Sequence, residues 1–290
     1  MFFLQNFFSG LLLGGIYILV AVAFVLIYKS SKILNLAQGS IVLVGAYLSY
    51  MLIKQFGISP IPAVILTMAL CGIIALGLER FILRPMIAQP ILSIVMVTIG
   101  IDLLFRGTCN MIWGVGGWRV YPEIFSLEPF EIGPIFFSRE HVYPFVLSIV
   151  LLILLALFFS RTKQGLLMRA IAQGHKVAQS MGIRVPKLLA LSWVIASVLS
   201  ALAGVFLGSI HNVNIPLADI GLKALAAALL GGLESIGGAV VAGMIIGVVE
   251  GLAAGYIGHG VREVAPFVVM MLVLTVRPYG LFGLEEIERV

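Results

Sequence analysis

Arg161-Thr162-Lys163-Gln164-Gly165-Leu166-Leu167-Met168-Arg169-Ala170-Ile171-Ala172-Gln173-Gly174-His175-Lys176-Val177-Ala178-Gln179-Ser180-Met181-Gly182-Ile183-Arg184-Val185-Pro186-Lys187 is the stretch that decides how this chain is organised. It carries six Lys and Arg and no Asp or Glu, and apolar runs of membrane-spanning length flank it on both sides. A short loop with that charge stays on the cytoplasmic side of a membrane. It also has internal pattern. Leu166 to Gln173 reads as one helical piece, interrupted at Gly174, and His175 to Met181 as a second, with Gly182 as its C-terminal stop. Val177, Ala178 and Met181 fall three and four apart on one face. Pro186 then disfavours helix at Val185. A short helix at the inner surface, with a small apolar face and basic flanks, is a shape another protein can grip. A solvated connector with a purely topological role is the other reading.

Outward from this loop the composition sets the class. The 290 residues are 61% hydrophobic and 11% charged, against about a quarter charged in soluble domains. Mean hydropathy is +1.15. Such a chain cannot cover a water-facing surface, so a polytopic membrane protein is expected. The net charge of +5 sits mostly in short loops. It speaks to topology and inner-leaflet lipid, not to nucleic acid, and no aromatic-and-basic stripe suggests base stacking. Cys71 lies in an apolar run and Cys109 in a polar loop, which implies no disulfide framework. The first apolar segment has no basic residue before it and is followed by Lys29 and Lys32. It is expected to stay as an uncleaved anchor.

Spans need about 20 apolar residues. They are expected over roughly 7–28, 35–53, 61–78, 91–105, 142–159, 188–208, 235–255 and 264–276, with a shorter apolar piece over 218–233. With 161–187 inside, the long polar segment 107–141, which contains Glu123, Glu128, Glu131 and Glu140, lies outside. The N-terminus is then outside and the C-terminus inside. Lys and Arg at 29, 32, 80, 84, 161, 163, 169, 176, 184, 187, 277 and 289 face the cytoplasm, those at 54, 106, 119, 139 and 262 face outward, and Lys223 lies in the membrane. The expected fold is therefore an all-α polytopic helix bundle in a single transmembrane domain, with about eight full spans plus one short or broken segment. That segment must be shielded by protein or water if it is broken or re-entrant.

Gly243, Gly247, Gly251 and Gly255 recur every four residues, and Gly10 with Gly14 and Gly204 with Gly208 repeat the spacing. Such grooves let helix backbones touch, which drives association in lipid; a hinge or path lining is the alternative. Ionisable groups inside spans cost about 2.5–3.5 kcal/mol at the centre and face a partner or a cavity. Asp102 with Arg106, and Asp219 with Lys223, are spaced as local i, i+4 pairs. Glu250 stands between Gly247 and Gly251 with no other charge near it in sequence. It is either a path or gate residue or a hydrogen-bonded structural acid. Asn35, Gln38 and Ser40 open the second span, with Asn35 and Gln38 on one face. They serve interhelical hydrogen bonding or a polar lining for a small solute. The four histidines lack metal-ligand spacing, and no metal site, G-x-S-x-G or Walker A lysine is present in the sequence. No catalytic residue is expected, and any ATP that drives this chain must sit on another.

Three stretches carry a resemblance. They are Ile33 to Ser40 continuing through Gly45-Ala46-Tyr47; Arg169-Ala170 through Ala178 and Gly182-Ile183, then Leu191 to Gly204; and Lys223-Ala224 through Leu230-Gly231-Gly232, Ser235 to Ala239, then Arg277-Pro278-Tyr279-Gly280-Leu281-Phe282-Gly283. Together they resemble the branched-chain amino acid permease family of ABC importers, specifically its shorter membrane subunit. The chain departs from the family at Gln38-Gly39-Ser40, where a His-Gly-acid run is usual, and so lacks that ionisable pair. Ala178 and Gly182 form only a degenerate version of the importer coupling motif. The resemblance implies a second permease subunit, two cytoplasmic ABC ATPase subunits that bind the ATP, an extracytoplasmic substrate-binding protein and the bacterial inner membrane. It implies an ATPase-coupling loop built on Arg169, Ala170, His175, Val177, Ala178, Met181, Gly182 and Ile183. Asn35, Gln38, Ser40, Tyr47 and Glu250 become candidates for the translocation path. The solute it implies is a branched-chain or other neutral amino acid, with urea or short amides as the near alternative. A stand-alone secondary transporter or channel would show paired broken helices in inverted halves, and a membrane enzyme would show a catalytic constellation.

Overall fold

The computed structural model describes residues 2–86, 89–114, 119–124, 130–132, 135–173 and 175–283. The first helix, α1 (Phe2–Ser31), is apolar on every face. A helix of that kind has no stripe to turn outward and becomes a core element. From Ile16 to Ile27 every residue is buried. The second helix of the central pair is α10 (Ile236–Tyr256), which runs antiparallel to α1 with Gly10 opposite Gly247 and Gly14 opposite Gly243. A Cβ on Gly14 would lie 2.8 Å from the Gly243 carbonyl, and one on Gly251 2.6 Å from that of Asn6. The four-residue glycine repeat is thus a seam where two backbones touch.

Around this pair stand α2 (Gln38–Tyr50), α8 (Val185–His211) and α9 (Ile220–Gly231). Gly45 abuts Ala201, and Gly204 abuts the backbone at Val42, so α2 and α8 also close on small residues. The perimeter is α3 (Pro60–Leu78), α4 (Ile91–Trp113), α5 (Arg139–Arg161) and α11 (His259–Val276). These helices turn large apolar side chains such as Ile65, Leu103, Ile153 and Met271 outward. Only 17% of the most apolar window of α4 is buried, against 89% for α1, which makes α4 a lipid-facing or subunit-facing helix. Six helices (α1, α3 with its extension to Met86, α4, α5, α8 and α10) are long and apolar enough to cross a membrane among the described residues.

Three expectations need correction. The fourth span does not stop at Phe105 but continues to Trp113, and Cys109 is buried in it rather than looped. Ile94, Thr98, Ile101, Cys109 and Trp113 make one inward face at helical spacing. The segment 107–141 also contains a small antiparallel hairpin, β1 (Phe130–Ile132) with β2 (Ile135–Phe137). The aromatic and β-branched runs on either side of Gly133-Pro134 were its signal in the sequence. Finally, α2 spans 13 residues and is completed by a π-helical turn, Met51–Gln55. Glu128 and Arg289 lie outside the described residues.

The ends of the bundle sort consistently. Arg119 pairs with Val213 through backbone hydrogen bonds of 3.0 and 3.1 Å, the Tyr121 hydroxyl donates to Ser49 Oγ at 2.6 Å, and the rings of Phe8 and Phe137 meet at 5.6 Å. The start of α1, residues 119–124 and the hairpin therefore share one end. Lys32 pairs with Glu234 at the other, and Lys29 lies beside Met168 and Arg169 there. Between Val213 and Glu234 the chain travels from one end to the other. It does so by a 3-10 helix, Ile215–Asp219 (5 residues), and the 12-residue α9, about 10 Å and about 18 Å long. The short apolar piece is thus a broken helix, and protein covers most of it.

Candidate functional site

The backbone that follows α8 turns at Asn212 and Asn214, and Asn214 accepts the Leu217 N–H at 3.2 Å to cap the 3-10 helix. This places Asp219 and Lys223 beside the first turns of α11 and the middle of α1 and α10. Glu250 is fully buried there. Its Oε2 accepts from the Tyr17 hydroxyl at 2.7 Å, and its Oε1 accepts from Lys223 Nζ at 3.1 Å and Arg262 Nε at 2.7 Å. Lys223 Nζ also reaches Glu263 Oε2 at 2.9 Å. Glu250 therefore does not stand alone as its sequence neighbourhood implies. Its partners come from residues 17, 223 and 262, on three other helices. The expected Asp219–Lys223 pair does not form either. Asp219 bonds Arg106 at 2.8 Å, and Arg106 holds Asp102 at the same distance, as the spacing of 102 and 106 predicts. Removing one member of a buried pair leaves an uncompensated charge, so the knot holds as a set.

The knot underlies a cavity of about 270 Å³ at the end that carries residues 119–124 and the hairpin, lined by Tyr17, His211, Asn214, Lys223, Arg262 and Glu263, with Pro216, Leu217, Asp219 and Ile220 completing it. Sequence reasoning named Glu250 but not Tyr17, Arg262 or Glu263. An ionisable pair Arg262-Glu263 opening an apolar helix was the available signal.

The polar opening of α2 is closed. Asn35 Nδ2 donates to Gln38 Oε1 at 2.8 Å, and Asn35 Oδ1 accepts the Ala37 N–H at 3.2 Å. Gln38 Nε2 donates to Ser200 Oγ and, at 3.3 Å, to the Ala196 carbonyl. Ser40 Oγ donates to Ala37 O at 2.8 Å, and Tyr47 stacks on Trp113 at 4.7 Å. All four side chains are buried; Gln38 makes the interhelical hydrogen bonds, to α8, while those of Asn35 and Ser40 stay within the start of α2.

At the opposite end of the bundle the basic loop folds as α6 (Lys163–Gln173) and α7 (His175–Ser180). Gly182 has φ +78°, and Ile183 N–H donates back to Ala178 O at 3.1 Å, the Gly stop expected of that sequence. Gly174 and the side chains of His175 and Val177 lie outside what is described. Ala178 and Met181 do not share an outward face. Ala178 is buried with Met168, Ile171, Val185, Leu188 and Leu189, whereas Met181 is 77% exposed. The helix ends at Ser180, so Met181 leaves the helical register that put the two together. Arg169 is exposed, Ala170 is half-buried, and Ile183 packs on the Ala178 cluster. The Arg277 to Gly283 run docks beneath, its Leu281 and Phe282 N–H groups donating to Leu230 O and Gly231 O at 2.8 and 3.1 Å. It satisfies the last carbonyls of α9, which a helix otherwise leaves open.

A bundle of apolar helices with a buried charge knot, a cavity at one end and a folded basic loop at the other defines a multi-pass inner-membrane permease. A family model described as "Branched-chain amino acid transport system / permease component" matches residues 6–276, and the chain belongs to that family. It is 29% identical to the high-affinity branched-chain amino acid transport system permease protein LivH of Salmonella typhimurium, over 100% of this chain and 98% of LivH. It is 30% identical to the corresponding protein BraD of Pseudomonas aeruginosa, over 99% and 98%. A probable branched-chain amino acid transport permease, LivH of Methanocaldococcus jannaschii, is 30% identical over 96% and 91%.

Proposed function

We propose that the chain is the transmembrane permease subunit of an ABC-type importer that moves branched-chain or other neutral amino acids across the inner membrane. The family match from residue 6 to 276 carries this reading, because it takes in every helix from α1 to α11. The assembly contains a second permease subunit, two cytoplasmic ATPase subunits that hold the ATP, and an extracytoplasmic binding protein; this chain itself binds no cofactor. Counting the broken segment, the chain crosses nine times, eight of them as full spans. The N-terminus and residues 107–141 are outside, and residues 161–187 and the C-terminus are inside. The binding protein releases solute at the end that carries the hairpin and the cavity. The ATPase grips the exposed tip from Gln179 to Arg184, with Met181 and Gly182 at its centre and Arg169 and His175 beside it. Ala170, Val177, Ala178 and Ile183 give that tip its shape. Of the path candidates, Glu250 lies behind the cavity wall, bonded to its lining residues Tyr17, Lys223 and Arg262, while Gln38 and Tyr47 keep α2 seated on α8 and α4 and Asn35 and Ser40 brace its first turn.

The test is reconstitution of this chain in proteoliposomes with its co-encoded permease, ATPases and binding protein. ATP-dependent leucine uptake is expected. Uptake of urea or acetamide in its place, or solute flux without the ATPases, would overturn the assignment.

A further inference from the structure

The cavity is lined by both charged and apolar side chains. Lys223, Arg262, Glu263 and Asp219 are the charged ones, and Pro216, Leu217 and Ile220 the apolar ones. Arg262 gives only Nε to Glu250, and its two terminal nitrogens have no protein partner among the described residues. A guanidinium held by one edge presents its other edge as a fork, the geometry that takes a carboxylate through two parallel hydrogen bonds. Glu263 is 64% exposed and uses only Oε2 toward Lys223, which leaves Oε1 open to a donor. Lys223 and Arg262 are balanced by Glu250 and Glu263, and the remaining charged wall residue, Asp219, is paired with Arg106, so the cavity holds no unpaired ion to favour a net anion or cation. It offers instead a separated positive and negative contact with an aliphatic wall beside them. Its volume, about 270 Å³, is near the lower end of ligand clefts, roughly 300–1,000 Å³, which suits a small solute.

Building on the permease reading above, we propose that this cavity receives the solute as an amino-acid zwitterion. The α-carboxylate lies on the terminal nitrogens of Arg262, the α-ammonium on Glu263, and the branched side chain against Leu217 and Ile220. Glu250 does not touch the solute. It is a positioning residue that holds the Nε edge of Arg262 and so aims the fork. A solute without both charges gains at most one of the two ionic contacts, and the cavity thereby separates amino acids from urea and short amides.

The assay uses the complete transporter in nanodiscs without binding protein, with L-leucine as the probe and saturation-transfer NMR of its methyl groups as the readout. Saturable leucine binding is expected. 4-Methylpentanoate, which lacks the ammonium, and isoamylamine, which lacks the carboxylate, should compete at least about tenfold more weakly, and urea not at all. Arg262→Gln and Glu263→Gln should each weaken leucine binding at least about tenfold, the scale of a lost charge-assisted hydrogen bond. Arg262→Lys, which keeps the charge without the fork, should fall between. Ile220→Ala should lower the preference for leucine over alanine. If Arg262→Gln does not assemble, Glu263→Gln on its exposed side chain decides. Absence of saturable binding to the wild-type complex, or wild-type affinity in Glu263→Gln, overturns the proposal. Leucine uptake by wild-type proteoliposomes separates the two ideas. Uptake without binding in the cavity removes only this site, whereas absence of uptake removes the permease reading itself.

Discussion

The helices α1 and α10 meet in two different ways along one interface. From Asn6 to Gly14 they touch backbone to backbone through Gly243, Gly247 and Gly251. A few residues further along α1, Tyr17 reaches Glu250, and the contact becomes a hydrogen-bonded ion cluster. The seam is held by close packing of small residues, which works in lipid because it needs no water to be expelled. The cluster is held by the cost of leaving any one charge alone. The seam therefore depends on the shape of two helices, and the cluster on the simultaneous presence of four.

The largest expected effect tests the seam. A Cβ on Gly247 would overlap the carbonyl of Gly10 and the Cα of Gly14, and neither backbone atom can swing away. Gly247→Val should cost more than the roughly 1–3 kcal/mol of ordinary overpacking and abolish recovery of assembled protein. Gly237→Ala, on the same helix with open space around it, should leave yield unchanged. Equal yields for both would show that the seam is not the contact that matters.

The cluster is tested next. Glu250→Gln keeps an acceptor for Tyr17 but strands Arg262 and leaves Lys223 with Glu263 alone, with an expected loss of about 3 kcal/mol read as a lower thermal midpoint. Adding Lys223→Met should restore part of it. A double variant that melts below the single one would sink the idea of charge balance.

The basic loop repeats the contrast between a packed and an open position. Ala178→Trp forces bulk into the small cluster beside α8 and should destabilise the loop by about 1–3 kcal/mol, with co-purification of the ATPases lost. Met181→Trp should leave the thermal midpoint unchanged and still weaken the ATPase pull-down. If Met181→Trp retains full pull-down, the exposed tip is not the docking surface.

Tyr17→Phe is milder. Glu250 keeps both cations, so about 1–2 kcal/mol is expected from the lost hydrogen bond, seen as a small shift in midpoint. A shift as large as that of Glu250→Gln would move the centre of the cluster to Tyr17. Cysteines at Gln164 and Glu123, in a background without Cys71 and Cys109, should change neither stability nor transport. They should react with an impermeant thiol reagent from opposite sides of the membrane. Reaction from one side only would break the assignment of the two ends.

What could be read in advance follows the same division. The seam was legible because a four-residue repeat is a local property of one stretch, and Asp102–Arg106 was legible for the same reason. Six of the spans were legible because length and apolarity are local too, although α4 continues past the apolar run that ends at Phe105 to Trp113. The partners of Glu250 were not legible. They come from residues 17, 223 and 262, and no spacing rule links those positions. Asp219 and Lys223 mark the limit most clearly. Their spacing suits a local pair, yet each finds a better-placed partner on another helix, Arg106 and Glu250. The inward turn of Ala178 was hidden because it depends on where α7 ends, one residue before Met181.

The cluster also orders events during synthesis. An apolar helix can wait in lipid for its partners, and α1, made first, brings into the hydrocarbon no charge before Lys29. A lone carboxylate cannot wait as cheaply, at about 2.5–3.5 kcal/mol near the bilayer centre. Glu250 leaves the ribosome only after Tyr17 and Lys223 have been made, and Arg262 follows within the next helix. The acid thus enters the membrane when a hydroxyl and an ammonium already await it. Moving α10 ahead of α9 in a circularly permuted chain would make the acid insert before both its hydroxyl and its ammonium partner.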